Sequence, residues 1–314
     1  MWKYRENSAS APRTGFSSNW AERGSPVAKT GASVASPLIS STALAKRLGD
    51  PAWIAVDCRF VLTDPDAGHA AYRQGHIPGA RYAHLDNDLA RVPGPADGRH
   101  PLPRVEDFTD TLGAWGISDA SHVVVYDDMS GAIAARLWWM LRWTGHRAAY
   151  VLDGGLQAWE AAELPLDREI PAVRATEYVA HDVHRDWVVS TEQVSLELAN
   201  GARLVDARAP ERFQGLTEPI DSVAGHIPGA INWPFSEALR SDGSMRPADE
   251  LHTRLKQLSD QPGGFIAMCG SGVTACHLLL AVNAAGLGDG RVYTGSWSEW
   301  IRDPERPIAT GAIS

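Results

Sequence analysis

At 314 residues, with 44% hydrophobic and 21% charged residues, the chain has a globular composition and room for two ordinary domains. A formal net charge of −9 with no dense basic cluster argues against a nucleic-acid surface, and no stretch approaches the roughly 18 apolar residues of a membrane span. Three cysteines, few and odd in number, point to a reducing compartment, the cytoplasm by default, and to no disulfide framework.

Residues 1–36 are rich in Ser, Ala, Gly and Pro, carry five Lys or Arg against Glu6 and Glu22, and show no clear amphipathic period. They read as a disordered arm outside the fold. The chain then presents an apolar strand ending in Asp-x-Arg (Ile54-Ala55-Val56-Asp57-Cys58-Arg59), the word His76-Ile77-Pro78-Gly79-Ala80, and a strand Val123–Tyr126. A helical stretch Ile133–Trp143 and Leu152-Asp153-Gly154-Gly155 with Trp159 follow. Residues 166–186, with Pro171 and many charges, read as a linker.

Beyond the linker the same words return in the same order: Arg203-Leu204-Val205-Asp206-Ala207-Arg208, His226-Ile227-Pro228-Gly229-Ala230, a strand Phe265–Met268, a helix Thr274–Ala285, and Tyr293-Thr294-Gly295-Ser296 with Trp300. Four cognate segments in one order define a tandem duplication, with a first domain at 37–165 and a second at 187–314. Short apolar strands alternating with helical stretches predict an α/β class, each domain a mainly parallel sheet flanked by helices.

The copies differ at one loop. In the second, Cys269 follows a buried strand and precedes a helix, with Gly270-Ser271-Gly272 between. The glycines let the backbone turn its N–H groups inward and the helix dipole adds positive potential, an environment that favours a thiolate. The bland alternative is a buried packing cysteine, which does not ask for Gly-Ser-Gly beside it. Aligning Gly131 with Gly272 puts Asp128 at the cysteine position of the first copy, which then serves as a non-catalytic scaffold lining the cleft.

These words resemble the rhodanese superfamily, in the two-domain arrangement of thiosulfate and 3-mercaptopyruvate sulfurtransferases. The likeness runs over about residues 37–310 and is most specific in Cys269-Gly270-Ser271-Gly272-Val273-Thr274-Ala275 and Gly295-Ser296-Trp297-Ser298-Glu299-Trp300. It implies sulfur transfer through a Cys269 persulfide, from a small sulfur donor to cyanide, a small thiol or a thioredoxin-like protein, with no metal or organic cofactor. By the same resemblance Gly270, Gly272, Val273 and Thr274 line the substrate loop, and a relay of Ser271, His100 and Asp86 assists proton movement. Arg212 matches an arginine that grips the donor's carboxylate or sulfonate.

Each residue also has a plainer reading: Ser271 as a helix cap, His100 as a solvated loop histidine, Arg212 as a surface cation. The chain departs from the mercaptopyruvate pattern after Glu218-Pro219, where a second arginine is expected and Ile220-Asp221 stand. Losing that two-point contact, with an acid near where a carboxylate would be clamped, weakens that substrate and keeps thiosulfate open. Cys276 and Cys58 read as core residues, and the Trp pairs as core and interface filling. A cysteine phosphatase would need an arginine directly after the loop, where Ala275 and Cys276 stand. The remaining alternative is a non-catalytic binding or sulfur-carrier module.

Overall fold

The computed structural model describes residues 36–260 and 263–312, so the arm expected over 1–36 lies, apart from Ser36, outside the described residues. The first half runs β1 (Leu38–Ile39), α1 (Ser41–Ala45), β2 (Trp53–Asp57), α2 (Ala67–Gln74), β3 (Arg81–Tyr82), α3 (Val105–Ala114), β4 (His122–Tyr126), α4 (Ala134–Trp143), β5 (Ala149–Leu152) and α5 (Gly155–Ala161). The second runs β6 (Val188–Val189), α6 (Thr191–Ala199), β7 (Arg203–Asp206), α7 (Pro210–Phe213), β8 (Ile231–Asn232), α8 (Ala248–Ser259), β9 (Phe265–Met268), α9 (Thr274–Ala284), β10 (Arg291–Tyr293) and α10 (Ser296–Trp300). They form two five-stranded sheets of order β1-β5-β4-β2-β3 and β6-β10-β9-β7-β8. Every pairing is parallel, as expected for the α/β class.

The central strands β4 and β9 are buried on both faces, which is why they read as continuous apolar runs. Helices α4 and α9 pack against each other between the sheets, and one core cluster, with Trp138 and Trp139 in it, is continuous across both copies. The repeated words have a structural reason. Arg59 binds both carboxylate oxygens of Asp57 and donates to the Gly75 carbonyl at 2.7 Å. Arg208 does the same with Asp206 and Gly225, again at 2.7 Å. Each Asp-x-Arg pair thus ties a strand end to the turn before its His-Ile-Pro-Gly-Ala word, whose histidine is buried with Nδ1 2.8 Å from a main-chain oxygen.

Strand register corrects one expectation. Asp57 lies opposite Tyr126 on β4, and Asp206 lies opposite Met268 on β9. The next residues, Asp127 and Cys269, are therefore counterparts, and Asp128 is not. The first loop holds one more residue before the shared glycine, an insertion that matching Gly131 to Gly272 pushes onto the strand side.

Candidate active site

Cys269 is 2% exposed at the carboxyl end of β9. Gly272 is in the left-handed region (φ +78°), and an added Cβ would stand 2.5 Å from the Thr294 carbonyl oxygen, so only glycine fits this turn. The turn aims the Gly272 N–H at Cys269 Sγ, 3.1 Å away. The Gly295–Trp300 segment holds the loop from behind. Ser296 Oγ accepts from Cys269 N at 3.1 Å, Trp297 N donates to the Cys269 carbonyl at 3.0 Å, and Ser298 N donates to that of Gly270 at 2.8 Å.

The first copy shows what this cradle can hold. The buried Asp127 carboxylate takes four main-chain donors at 2.8 Å, Met129 and Gly131 on Oδ1, Ile133 and Ala134 on Oδ2. Burial pushes its carboxyl up and those four amides pull it back. Four donors and no acceptor around two oxygens leave no place for a proton, so the group sits as an anion. Counting from the shared glycine, Ile133 and Ala134 correspond to Thr274 and Ala275, whose amides at the start of α9 have no partner within the helix.

The first-domain residues expected to form a relay meet the second domain. His100 Nδ1 lies 2.8 Å from Ser271 Oγ, and His100 Nε2 lies 3.1 Å from Asp86 Oδ1. A carboxylate only accepts, so Nε2 carries the proton and Nδ1 accepts from the serine hydroxyl. The helix α9 has no side-chain cap, so Ser271 spends its hydroxyl on His100 and not on the helix terminus. Burial lowers the His100 pKa, with Asp86 opposing and Arg136 and Arg99 adding to the shift. The hydrogen bond from His100 lowers that of Asp86. The His100 loop is seated by Gly98, where an added Cβ would stand 2.6 Å from the Gly295 carbonyl, and by Arg99 N donating to Ser298 Oγ at 3.0 Å.

Arg212 reaches the same place from α7. Its Nε donates to both Glu218 oxygens at 3.1 Å, and its Nη2 reaches Glu218 at 2.7 Å and Asp221 at 3.1 Å. Asp221, expected as an acid near where a carboxylate would be clamped, is ion-paired with both Arg212 and Arg99. Burial pushes its carboxyl up and Arg99 pulls it down. Val273 is buried at the helix start and Thr274 is the first residue of α9. Cys276 donates to the Gly272 carbonyl at 3.3 Å, and burial pushes its thiol up to about 12.

Two residues at the site escaped the sequence reading, Arg99 and Arg136. Arg136 is fully buried on α4, with Nη1 3.2 Å from the Gly272 carbonyl and Nη2 3.1 Å from that of His100. Its partners are three main-chain carbonyls and the Cys276 thiol, none of them a carboxylate, and burial lowers its pKa. The signal for it was a lone cation in the apolar run Ala134-Ala135-Arg136-Leu137-Trp138-Trp139. Arg99 offered only its place beside His100.

Fold and site together define a two-domain α/β protein built around one cysteine loop, with the neighbouring domain delivering a histidine, a carboxylate and arginines to it. The chain belongs to the rhodanese family: the family model described as a rhodanese-like domain matches residues 40–162 and 190–303. A Pseudomonas aeruginosa protein named "Probable 3-mercaptopyruvate sulfurtransferase" is 46% identical over 87% of this chain and 98% of its own length. Thiosulfate sulfurtransferase of Rattus norvegicus is 36% identical over 76% of this chain and 82% of its own. The crystal structure of SseA from Escherichia coli, titled for the fold and mechanism of 3-mercaptopyruvate sulfotransferases, matches with a TM-score of 0.73 at 32% identity, covering 84% of this chain and 99% of that one. Among the described residues no group of three or more His, Cys, Asp or Glu is placed to hold a metal ion, and no helix is long and apolar enough to cross a membrane.

Proposed function

We propose that this rhodanese-type sulfurtransferase takes sulfur from 3-mercaptopyruvate onto Cys269 and passes it to cyanide, a small thiol or a thioredoxin-like protein. The Cys269 thiolate attacks the donor sulfur, an S–S bond forms, and the C–S bond breaks with its electron pair left on the donor's carbon. That carbon takes the proton that leaves the donor thiol, giving pyruvate and the Cys269 persulfide anion. Cyanide then attacks the outer sulfur and departs as thiocyanate, restoring the thiolate.

The observation that carries this reading is the chain Asp86–His100–Ser271 beside the Cys269 loop. A carbon leaving group must be protonated, which a poised serine–histidine pair can do, whereas sulfite leaving from thiosulfate needs no proton. The four-donor Asp127 cradle supports the persulfide. Where the first copy fits two oxygens, the second fits one sulfur bonded by the Gly272 amide, so the amides of Thr274 and Ala275 are free for the outer sulfur. The reading assigns Cys269 as nucleophile, Ser271, His100 and Asp86 as relay, and Arg212, Gly270, Gly272, Val273 and Thr274 as the substrate surface. A cytoplasmic location belongs to the same proposal and rests on cysteine usage.

Thiosulfate is the second reading, favoured by two guanidinium groups near the cysteine that suit a dianion. The deciding experiment compares kcat/KM for the two donors with cyanide as acceptor, alongside intact mass for one added sulfur. Turnover of mercaptopyruvate ahead of thiosulfate supports the relay. Failure of both donors to leave sulfur on the reduced protein would favour a binding module instead.

A further inference from the structure

We infer that Arg99, from the first domain, supplies the second guanidinium that binds the donor's carboxylate, in place of the arginine absent at Ile220, with Asp221 positioning it. This rests on the reading of the site as one for a mercapto keto acid. It concerns a residue on the other domain from the loop where that arginine was expected.

The geometry is specific. A Cβ added to Gly270, the residue after the cysteine, would lie 2.9 Å from Arg99 Nη2 and 3.5 and 3.7 Å from Arg212 Nη2 and Nη1. Two guanidiniums from two domains therefore converge over one residue that carries no side chain, next to the reacting sulfur. Arg99 Nη1 is ion-paired to Asp221 Oδ1, and the other oxygen of Asp221 takes Arg212 Nη2 at 3.1 Å. Asp221 is thus a bridge between the two cations. Its own amide and that of Ile220 donate to Glu218 Oε1 at 3.0 and 3.1 Å, which fixes the loop that carries it.

The two arginines and two carboxylates balance in charge, and a hydrogen-bond donor is left over for a ligand. Glu218 and Asp221, with side chains 3% and 4% exposed, are both engaged by arginines. Arg99 Nε is buried without a hydrogen-bond partner, a donor that a ligand carboxylate would satisfy. The Arg99 side chain stays 23% exposed, so it lies at the mouth of the site. Its backbone is held by Ser298 Oγ at 3.0 Å, in the segment that also fixes the cysteine loop. A carboxylate over Gly270 would meet a pair of guanidiniums whose planar forks suit two-point binding.

The test uses the full chain with Arg99→Met and Arg99→Lys. Steady-state turnover of mercaptopyruvate should show KM raised at least about tenfold in Arg99→Met, about 1.4 kcal/mol, with Arg99→Lys between it and wild type. As a second readout, Cys269 is alkylated with iodoacetate and iodoacetamide, which differ in the carboxylate. The rate ratio of iodoacetate to iodoacetamide should fall about tenfold in Arg99→Met, and this ratio cancels any general change in thiol reactivity or fold. A KM within twofold of wild type together with an unchanged ratio overturns the role of Arg99. Wild-type protein that turns over no mercaptopyruvate undoes the donor reading, while the alkylation ratio still decides whether Arg99 binds a carboxylate.

Discussion

Replacing Asp127 by Asn tests whether the first copy is a filled anion cradle. An amide has the carboxylate's shape but presents N–H hydrogens where Oδ2 now takes Ile133 N and Ala134 N, both at 2.8 Å. Two charge-assisted bonds are lost, each about 1.5–3 kcal/mol, and two buried donors are left facing another donor. Relief from burying a charge offsets several kcal/mol of this, giving a net loss of about 2–4 kcal/mol. Differential scanning calorimetry should show the midpoint falling roughly 5–15 °C. Asp128→Asn is the internal control, since that side chain is exposed and its substitution should cost within about 0.5 kcal/mol. If Asp128→Asn lowers the midpoint as much as Asp127→Asn, the strand register and the cradle argument are both wrong.

Cys269→Ser should abolish turnover of either donor while circular dichroism and the melting midpoint stay close to wild type, and substantial residual activity would remove the nucleophile assignment. His100→Ala should lower kcat for mercaptopyruvate by about 100-fold or more and that for thiosulfate much less, with equal losses refuting the relay. Burial holds the folded His100 pKa below 6.5, so neutral His100 persists into mild acid and the acid limb of the mercaptopyruvate profile should lie below that value. Asp86 opposes that shift, so Asp86→Asn should move the limb further down, and an upward move contradicts the arrangement. For stability the sign is the reverse of a stabilising histidine: the unfolded chain binds the proton first, so the His100 site loses stability as pH falls below about 6.5 toward its depressed folded value. Arg136→Met removes a buried cation from beneath the cysteine loop and leaves the Gly272 carbonyl with the Cys276 thiol as its donor. Turnover with both donors should fall more than about tenfold while stability changes by under about 2 kcal/mol, because losing the carbonyl bonds and unburying an unpaired charge oppose each other.

What was legible in the sequence is what is carried locally. The strands β4 and β9 are apolar runs because both faces of a parallel sheet are covered, and the cysteine loop announces itself because Gly272 must turn with positive φ against Thr294. The duplication was visible because each Asp-x-Arg pair needs its own His-Ile-Pro-Gly-Ala turn. What was hidden depends on contacts between the copies. Nothing within Gly98-Arg99-His100 says that Arg99 will reach Asp221, more than a hundred residues on, and so Asp221 looked like an acid opposing the donor. The one-residue slip from Asp127 to Asp128 has a related cause, since the insertion is resolved only by which residues pair across the sheets.

The division of labour between the copies follows from one substitution in a shared cradle. A carboxylate at position 127 satisfies all four amides permanently, so the first loop has no capacity left for a transferable atom and its value is as a rigid mount. A thiol at position 269 takes the Gly272 amide, and on the proposed function the other loop amides take a second sulfur. On the proposed function, holding that sulfur falls to the amides of the second copy, whereas choosing and protonating the donor falls to groups the first copy projects across the interface. His100, Arg99 and Arg136 come from the first copy and touch Ser271, Asp221 and Gly272 of the second. Substitutions of His100 and Arg99 should therefore alter donor preference before they abolish persulfide formation, whereas Arg136, beneath the cysteine loop, should affect both donors alike, and the copies could not be separated without dismantling the site.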